Sequence, residues 1–182
     1  MNLEIRIPII QAPMAGFTTP ELVAAVSNAG AIGSFGFAYS NAEKIDSDLS
    51  EARKLTNKPI NANFFVFSEQ HTPPDKDCKI ANDVLENLPL AVSIPYQPLS
   101  APFFPSLEHQ LEPIWKHKPE FLTFHFGLPP KHILQRAQSL GMYVGVTATC
   151  LEEAKAIQNR GADFIVAQGI EAGGHRGTFS AD

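Results

Sequence analysis

The feature that most constrains the fold is the alternation of short apolar runs with segments of amphipathic helical periodicity. That alternation is typical of βα units arranged around a parallel sheet. The predicted strands cover residues 8–12, 31–34, 59–64, 121–125, 142–147 and 162–168. The predicted helices cover residues 20–26, 42–55, 107–116, 131–140 and 151–159. The β units follow one another without a shift in composition that would mark a second domain, which favours a single barrel over a doubly wound sheet.

A (β/α)8 barrel takes roughly 250 residues, and this sequence has 182. We therefore predict an α/β fold, a TIM barrel truncated after about six β units; a shorter open α/β fold is the alternative. Residues 1–182 are expected to form a single incomplete domain. Residues around 65–105 interrupt the pattern with Pro, Ser and Asp and carry only weak helical periodicity near 80–88, so we expect an extended loop there.

Composition and charge exclude several classes of function. The formal net charge of −5 gives no basic surface, so a nucleic-acid partner is not expected. Cys78 and Cys150 are the two cysteines, too few for a disulfide framework, and no metal-ligand spacing is present. The sequence has no secretory signal pattern and no apolar stretch of the roughly 20 residues that span a bilayer. We expect a cytoplasmic protein without a metal or a membrane partner.

The segment 166–177 carries the clearest chemical signal. A predicted strand leads into four glycines, with His175 among them. Glycines allow backbone N–H groups to approach an anionic or flat ligand, and catalytic residues of barrels follow strand ends. The alternative is a flexible turn with an exposed histidine.

Polar or flexible side chains also occur at the ends of earlier predicted strands. Met14 follows the first strand between small residues, and its thioether could pack against a planar ring or belong to the core. Asn61 and Asn63 share one face of a strand and need partners from a ligand or from a neighbouring strand. His125 ends another strand, either as a neutral site residue or as a buried structural histidine.

Taken together, these segments resemble the nitronate monooxygenases, formerly called 2-nitropropane dioxygenases. The resemblance rests on residues 8–16, 63–65, 124–127 and 166–177, in the order and at the spacing of the family. It implies an FMN-containing (β/α)8 barrel that oxidises alkyl nitronates with O2 to a carbonyl compound and nitrite. A cysteine nucleophile at Cys150 is not favoured, because no activating base lies nearby in the sequence.

The resemblance also assigns roles to individual residues. His175 matches the active-site histidine of the family, and His125 matches a second polar residue on the substrate side. The positions that match the flavin site are Met14, Asn63, Gln168, Gly173 and Gly174.

Two alternatives stay open. One is the FMN-dependent enoyl reductases of fatty-acid synthesis, which have the same barrel fold and a similar Glu-Ala-Gly-Gly-His stretch. A catalytically inactive fragment is the other alternative. The last two barrel units usually hold the cofactor phosphate, so we expect residues 1–182 alone to bind FMN poorly and to fold with difficulty. The sequence leaves the physiological substrate and the oligomeric state open.

Overall fold

The computed structural model describes residues 5–67, 73–87 and 102–180. In this part of the chain one sheet of five strands forms, and every adjacent pair is parallel. The strands are β1 (Gly33–Gly36), β2 (Ile60–Phe65), β3 (Phe121–His125), β4 (Tyr143–Ala148) and β5 (Phe164–Ala167). Their order in the sheet is their order in the chain, as expected for consecutive barrel units, and the predicted α/β class is confirmed.

Helices connect the strands. They are α1 (Pro20–Asn28), α2 (Ala42–Leu55), α3 (Asp75–Glu86), α4 (Leu107–His117), α5 (Lys131–Ser139) and α6 (Leu151–Arg160). α1 is capped at its start, because the Thr19 side chain accepts a hydrogen bond from the Leu22 N–H and Pro20 occupies the first helical position. α6 ends at Gly161, whose φ of +94° is a conformation that glycine adopts readily.

The chain divides into two compact units, residues 1–67 with 105–182 and residues 68–104. The sheet belongs to the first unit. In the second, where we expected a loop with weak helical character, α3 is a regular helix that begins at Asp75. Asp75 and Asp77 in its first turn favour a helix start, because carboxylates interact well with the helix dipole there. Residues 68–72 and 88–101 of the predicted loop lie outside the described residues.

The first predicted strand is the main departure within the sheet. It forms only an isolated parallel bridge between Ile10 and Ile32, with the Gln11 N–H donating to the Ile32 carbonyl at 2.8 Å. Pro8 and Pro13 flank this segment and lack the N–H groups that a longer ladder needs. The second predicted strand is displaced by two residues and begins at Gly33.

The apolar core lies between the sheet and the helices of the first unit. The largest fully buried side chains are Phe35, Phe37, Phe64, Phe124, Ile45, Leu49, Ile60, Leu111, Ile114, Leu122, Leu134 and Ile157. Strands β2 and β3 are buried along nearly their whole length, as parallel strands usually are. β5 differs, because Ile165 and Val166 are each 40% exposed.

Candidate active site

A cleft of about 510 Å³ lies where the strands end. Its lining comes from parts of the chain that are far apart in sequence: residues 10–13, β2, β3, β4 and the segment that follows β5. Because parallel strands present their carboxyl ends at one edge, side chains at those ends meet there. The lining residues are Ile10, Gln11, Ala12, Pro13, Asn61, Asn63, Phe65, Thr123, His125, Thr147, Val166, Ala167, Gln168, Gly169, Ala172, Gly173, Gly174 and His175.

A buried polar row crosses the cleft from β1 to β3. The Asn61 amide donates to Ser34 Oγ at 3.1 Å and to Thr123 Oγ1 at 3.0 Å. Asn63 Nδ2 lies 3.0 Å from the same Thr123 oxygen. Strand register brings these groups together, since Asn63 is directly opposite Thr123 in the sheet. The two asparagines therefore have protein partners and still line the cleft.

Gln11 lies beside this row. Its Oε1 accepts a long hydrogen bond of 3.4 Å from the Ser34 N–H. Its Nε2 is buried and has no hydrogen-bond partner among the described residues. A buried amide without a partner is costly, and this donor is therefore the unsatisfied polar group of the lining that the structure describes.

The loop after β5 is held in shape by Gln168. Its Nε2 donates to the His175 carbonyl oxygen at 2.9 Å, and its Oε1 accepts from the Gly177 N–H at 2.8 Å. The Gln168 amide thus bridges the two ends of the loop 168–177 and holds the backbone of His175 and Gly177 in place.

His125 completes the same arrangement. Its Nε2 lies 3.1 Å from the His175 carbonyl oxygen, which can only accept, so Nε2 carries the proton and Nδ1 has the free lone pair in the neutral ring. Burial lowers the pKa of His125 below its ordinary value; the hydrogen bond to the His175 carbonyl opposes that shift, and the charge of His175 adds to it. His125 is therefore neutral at pH 7.

Aromatic rings surround the two histidines. Phe65 and Phe126 each contact the His175 ring, with centroids 5.9 and 5.8 Å away. Phe126 also contacts His125, at 4.5 Å, and has a φ of +69°. A bulky residue in that conformation is strained, and the aromatic contacts on both sides stabilise it.

Six of the seven predicted site residues line this one cleft: Asn63, His125, Gln168, Gly173, Gly174 and His175. Met14 does not line it. Its side chain is 42% exposed, and its carbonyl oxygen closes a turn by accepting from the Phe17 and Thr18 N–H groups. Only its neighbours at 10–13 contribute to the lining.

Gln11, Thr123 and Thr147 also line the cleft and were not among the predicted site residues. A period-two pattern could have found Thr123, because it shares a strand face with His125. Nothing in the sequence indicates that Gln11 Nε2 lacks a partner, since that depends on how residues 10–13 pass β1.

In residues 5–67, 73–87 and 102–180, no cluster of His, Cys, Asp or Glu is arranged to hold a metal ion. None of the helices described is long and apolar enough to cross a bilayer.

Comparisons with known proteins agree on one family. The family model described as "Nitronate monooxygenase" matches residues 2–182. A nitronate monooxygenase of Pseudomonas aeruginosa is 42% identical over 186 aligned residues, which cover 99% of this chain and 52% of the relative. A probable nitronate monooxygenase of Staphylococcus aureus is 37% identical, with 97% and 50% covered.

Two solved structures of other proteins share the fold of this chain. A nitroalkane oxidase from Streptomyces ansochromogenes superimposes with a TM-score of 0.80 at 30% identity, covering 98% of this chain and 51% of that structure. FabK from Thermotoga maritima superimposes with a TM-score of 0.70 at 25% identity, with 97% and 45% covered. The chain spans about half the length of the relatives it matches. From its sequence match along residues 2–182, the chain belongs to the nitronate monooxygenase family of flavoenzymes.

Proposed function

We propose that the cleft binds FMN and serves the oxidation of alkyl nitronates by O2 to a carbonyl compound and nitrite. The observation that carries the proposal is the convergence of His125, Gln168 and His175, joined through one carbonyl oxygen, beside the amide row of β2. Because the chain spans about half the length of its relatives, the activity that their names state is a proposal for this chain.

The lining fits a flavin. A volume of about 510 Å³ is within the range of small-molecule sites. A polar heterocycle needs amide groups for hydrogen bonds and backbone that no side chain covers. Asn63 supplies an amide, Gln11 an unpaired donor, and at Gly173 and Gly174 a Cβ atom would meet nothing within 4 Å. We assign Asn63, Gln168, Gly173 and Gly174 to holding the cofactor. Met14 stays a prediction from the family resemblance.

The histidines lie where a substrate would enter. His175 is exposed at the rim, and its imidazole can donate a hydrogen bond to the nitro group of a bound nitronate, or take a proton from the acidic carbon of the parent nitroalkane. His125 is neutral, with Nδ1 free to accept a hydrogen bond, and we assign it to orienting the substrate. Phe65 and Phe126 pack against both rings and shield part of each from water, which strengthens their hydrogen bonds. When bound, the flavin supplies the redox chemistry, taking electrons from the substrate and passing them to O2.

The test is nitrite release and O2 consumption by the purified chain, supplied with an alkyl nitronate and with FMN in excess, because residues 1–182 are expected to bind FMN weakly. We expect His175→Ala to reduce the rate by at least about 100-fold, whereas His132→Ala, on the exposed face of α5, leaves it unchanged. Equal rates for His175→Ala and the unsubstituted chain would overturn the role of His175. Absence of flavin binding by the chain would overturn the cofactor assignment for residues 1–182.

The enoyl-reductase alternative predicts a different reaction, the consumption of NAD(P)H with an enoyl thioester. Nitronate oxidation is favoured because relatives of that name reach 42% identity. Measuring both reactions on the same flavin-loaded sample separates the two activities, and the inactive-fragment alternative predicts neither.

A further inference from the structure

We propose that Gln11 binds the flavin, by donating a hydrogen bond from Nε2 to an acceptor on the polar edge of the ring system. The inference rests on the proposed function, since it names a further residue of the same cofactor site. It assigns a binding role to a residue that enters the cleft from the segment before α1.

The first step is that Gln11 Nε2 is a donor with no protein partner. It is buried, and no acceptor among the described residues is within hydrogen-bond distance. Among the residues described it is the one buried side-chain polar atom of this kind, although the neighbouring amides of Asn61 and Asn63 are paired. An isolated exception in a satisfied polar row points to a missing partner.

The second step is that the amide cannot exchange its two ends. Gln11 Oε1 faces the Ser34 N–H at 3.4 Å. Turning the amide over would place an NH2 group against that N–H, donor against donor, and leave Ser34 without its acceptor. The free group is therefore Nε2, so the ligand atom opposite it must be an acceptor.

The third step is that Gln11 belongs with the cofactor-holding amides and not with the histidines. It connects through Ser34 to Asn61, and Asn61 connects through Thr123 to Asn63. The histidines form a separate group around the His175 carbonyl. A flavin carries carbonyl oxygens and unprotonated ring nitrogens along one edge, which suits a row of amide donors.

The experiment measures binding of riboflavin and of FMN by quenching of flavin fluorescence. Riboflavin has the ring but no phosphate, so its affinity reports on the ring contacts. Gln11→Met removes the donor, and Gln11→Glu removes it while keeping the oxygen that faces Ser34. We expect both variants to bind either flavin about tenfold more weakly. Gln138→Glu, whose amide contacts Gly161 away from the cleft, should bind both as the unsubstituted chain does.

Each outcome has one meaning. Unchanged flavin affinity in folded Gln11 variants overturns the inference and leaves the proposed function standing. Unchanged flavin affinity with a raised KM for the nitronate assigns the donor to the substrate and also overturns it. If thermal melts show that Gln11→Met does not fold, Gln11→Glu decides; if neither folds, Gln11 is structural and the inference fails. No flavin binding by the unsubstituted chain would overturn both proposals.

Discussion

At the scale of single residues, the site depends on a glycine that lies against a histidine. A Cβ atom at Gly177 would come within 2.5 Å of His125 Cε1 and 2.8 Å of its Nδ1. A side chain at this position would therefore force the His125 ring or the loop after β5 to move. The same glycine donates its N–H to Gln168. Gly177 therefore contacts both the end of β3, which carries His125, and the Gln168 side chain that holds the loop with His175.

We expect Gly177→Ala to displace the His125 ring and to break its hydrogen bond to the His175 carbonyl. The loss of one positioned site residue should reduce nitronate oxidation by about 10- to 100-fold, with a smaller effect on stability. Nitrogen NMR of the histidine side chains tests this cause. With the hydrogen bond broken, the His125 ring should no longer be protonated at Nε2 alone and should exchange between its two neutral tautomers. An unchanged His125 signal together with full activity would contradict this prediction.

A second prediction at this scale concerns Thr123, whose hydroxyl serves two buried amides. Thr123→Val keeps the shape and leaves the Asn61 and Asn63 amides each short of one partner. Orphaned buried groups cost roughly 1–3 kcal/mol each, so we expect the free energy of unfolding in urea to fall by about 2–4 kcal/mol. Gln135→Ala, at an exposed position of α5, should change it by less than about 0.5 kcal/mol. Equal effects of the two substitutions would argue against a structural role for the amide row.

At the scale of secondary structure, Glu153 of α6 fixes the chain that follows the site loop. This buried carboxylate accepts from the Phe179 and Ser180 N–H groups at 2.7 and 2.9 Å, and from the Thr149 N–H at 2.7 Å. Burial alone would raise the pKa of Glu153, but these backbone donors and the Thr149 hydroxyl outweigh it and lower the pKa to about 2. The carboxylate therefore joins β4, α6 and residues 178–180.

This lowered pKa predicts acid sensitivity. The stabilisation by Glu153 is fully present above pH 4.5, its ordinary value, and is lost as the pH falls towards about 2. It amounts to at most about 3 kcal/mol. We expect Glu153→Gln to lower stability at pH 7 and to flatten the decline below pH 4.5, as measured by urea unfolding across pH. Glu152→Gln, at the exposed neighbour, is the control; an equal flattening there would refute the assignment.

Most helices and strands could be predicted from the sequence, and the first strand could not. Helices and central strands could be predicted because their periodicity and caps are local, as at Thr19 and Gly161. The extent of the first strand could not be predicted, because the chain around Ile10 pairs with residues 30–32 through one bridge and a few backbone hydrogen bonds, and no local pattern encodes how far that pairing runs. His125 and Asn63 could be placed at strand ends, whereas the partnerless Nε2 of Gln11 arises from tertiary packing alone.

At the scale of the whole molecule, the two ends of the sheet expose apolar surface. Ile9 is 59% exposed at one end, and Ile165 is 40% exposed at the other. Exposed strands with apolar side chains favour association between chains. We expect the purified chain to associate at high concentration, as seen by sedimentation velocity.

Ile165→Lys should reduce that association. Ile165 is on the face opposite Val166, which lines the cleft, so flavin affinity should not change. Lys79→Ala, on the separate helix α3, should leave association as it is. Association that persists in Ile165→Lys would place the contact elsewhere.

The order of strands in the sheet also bears on how the protein is made. Each strand lies beside the one synthesised just before it, so a chain emerging from the ribosome can add one βα unit at a time to a growing edge. The polar row shared by β2 and β3 would then form earlier in translation than the loop that carries His175. On this account the amide groups that line the cleft are in place before His175 reaches it.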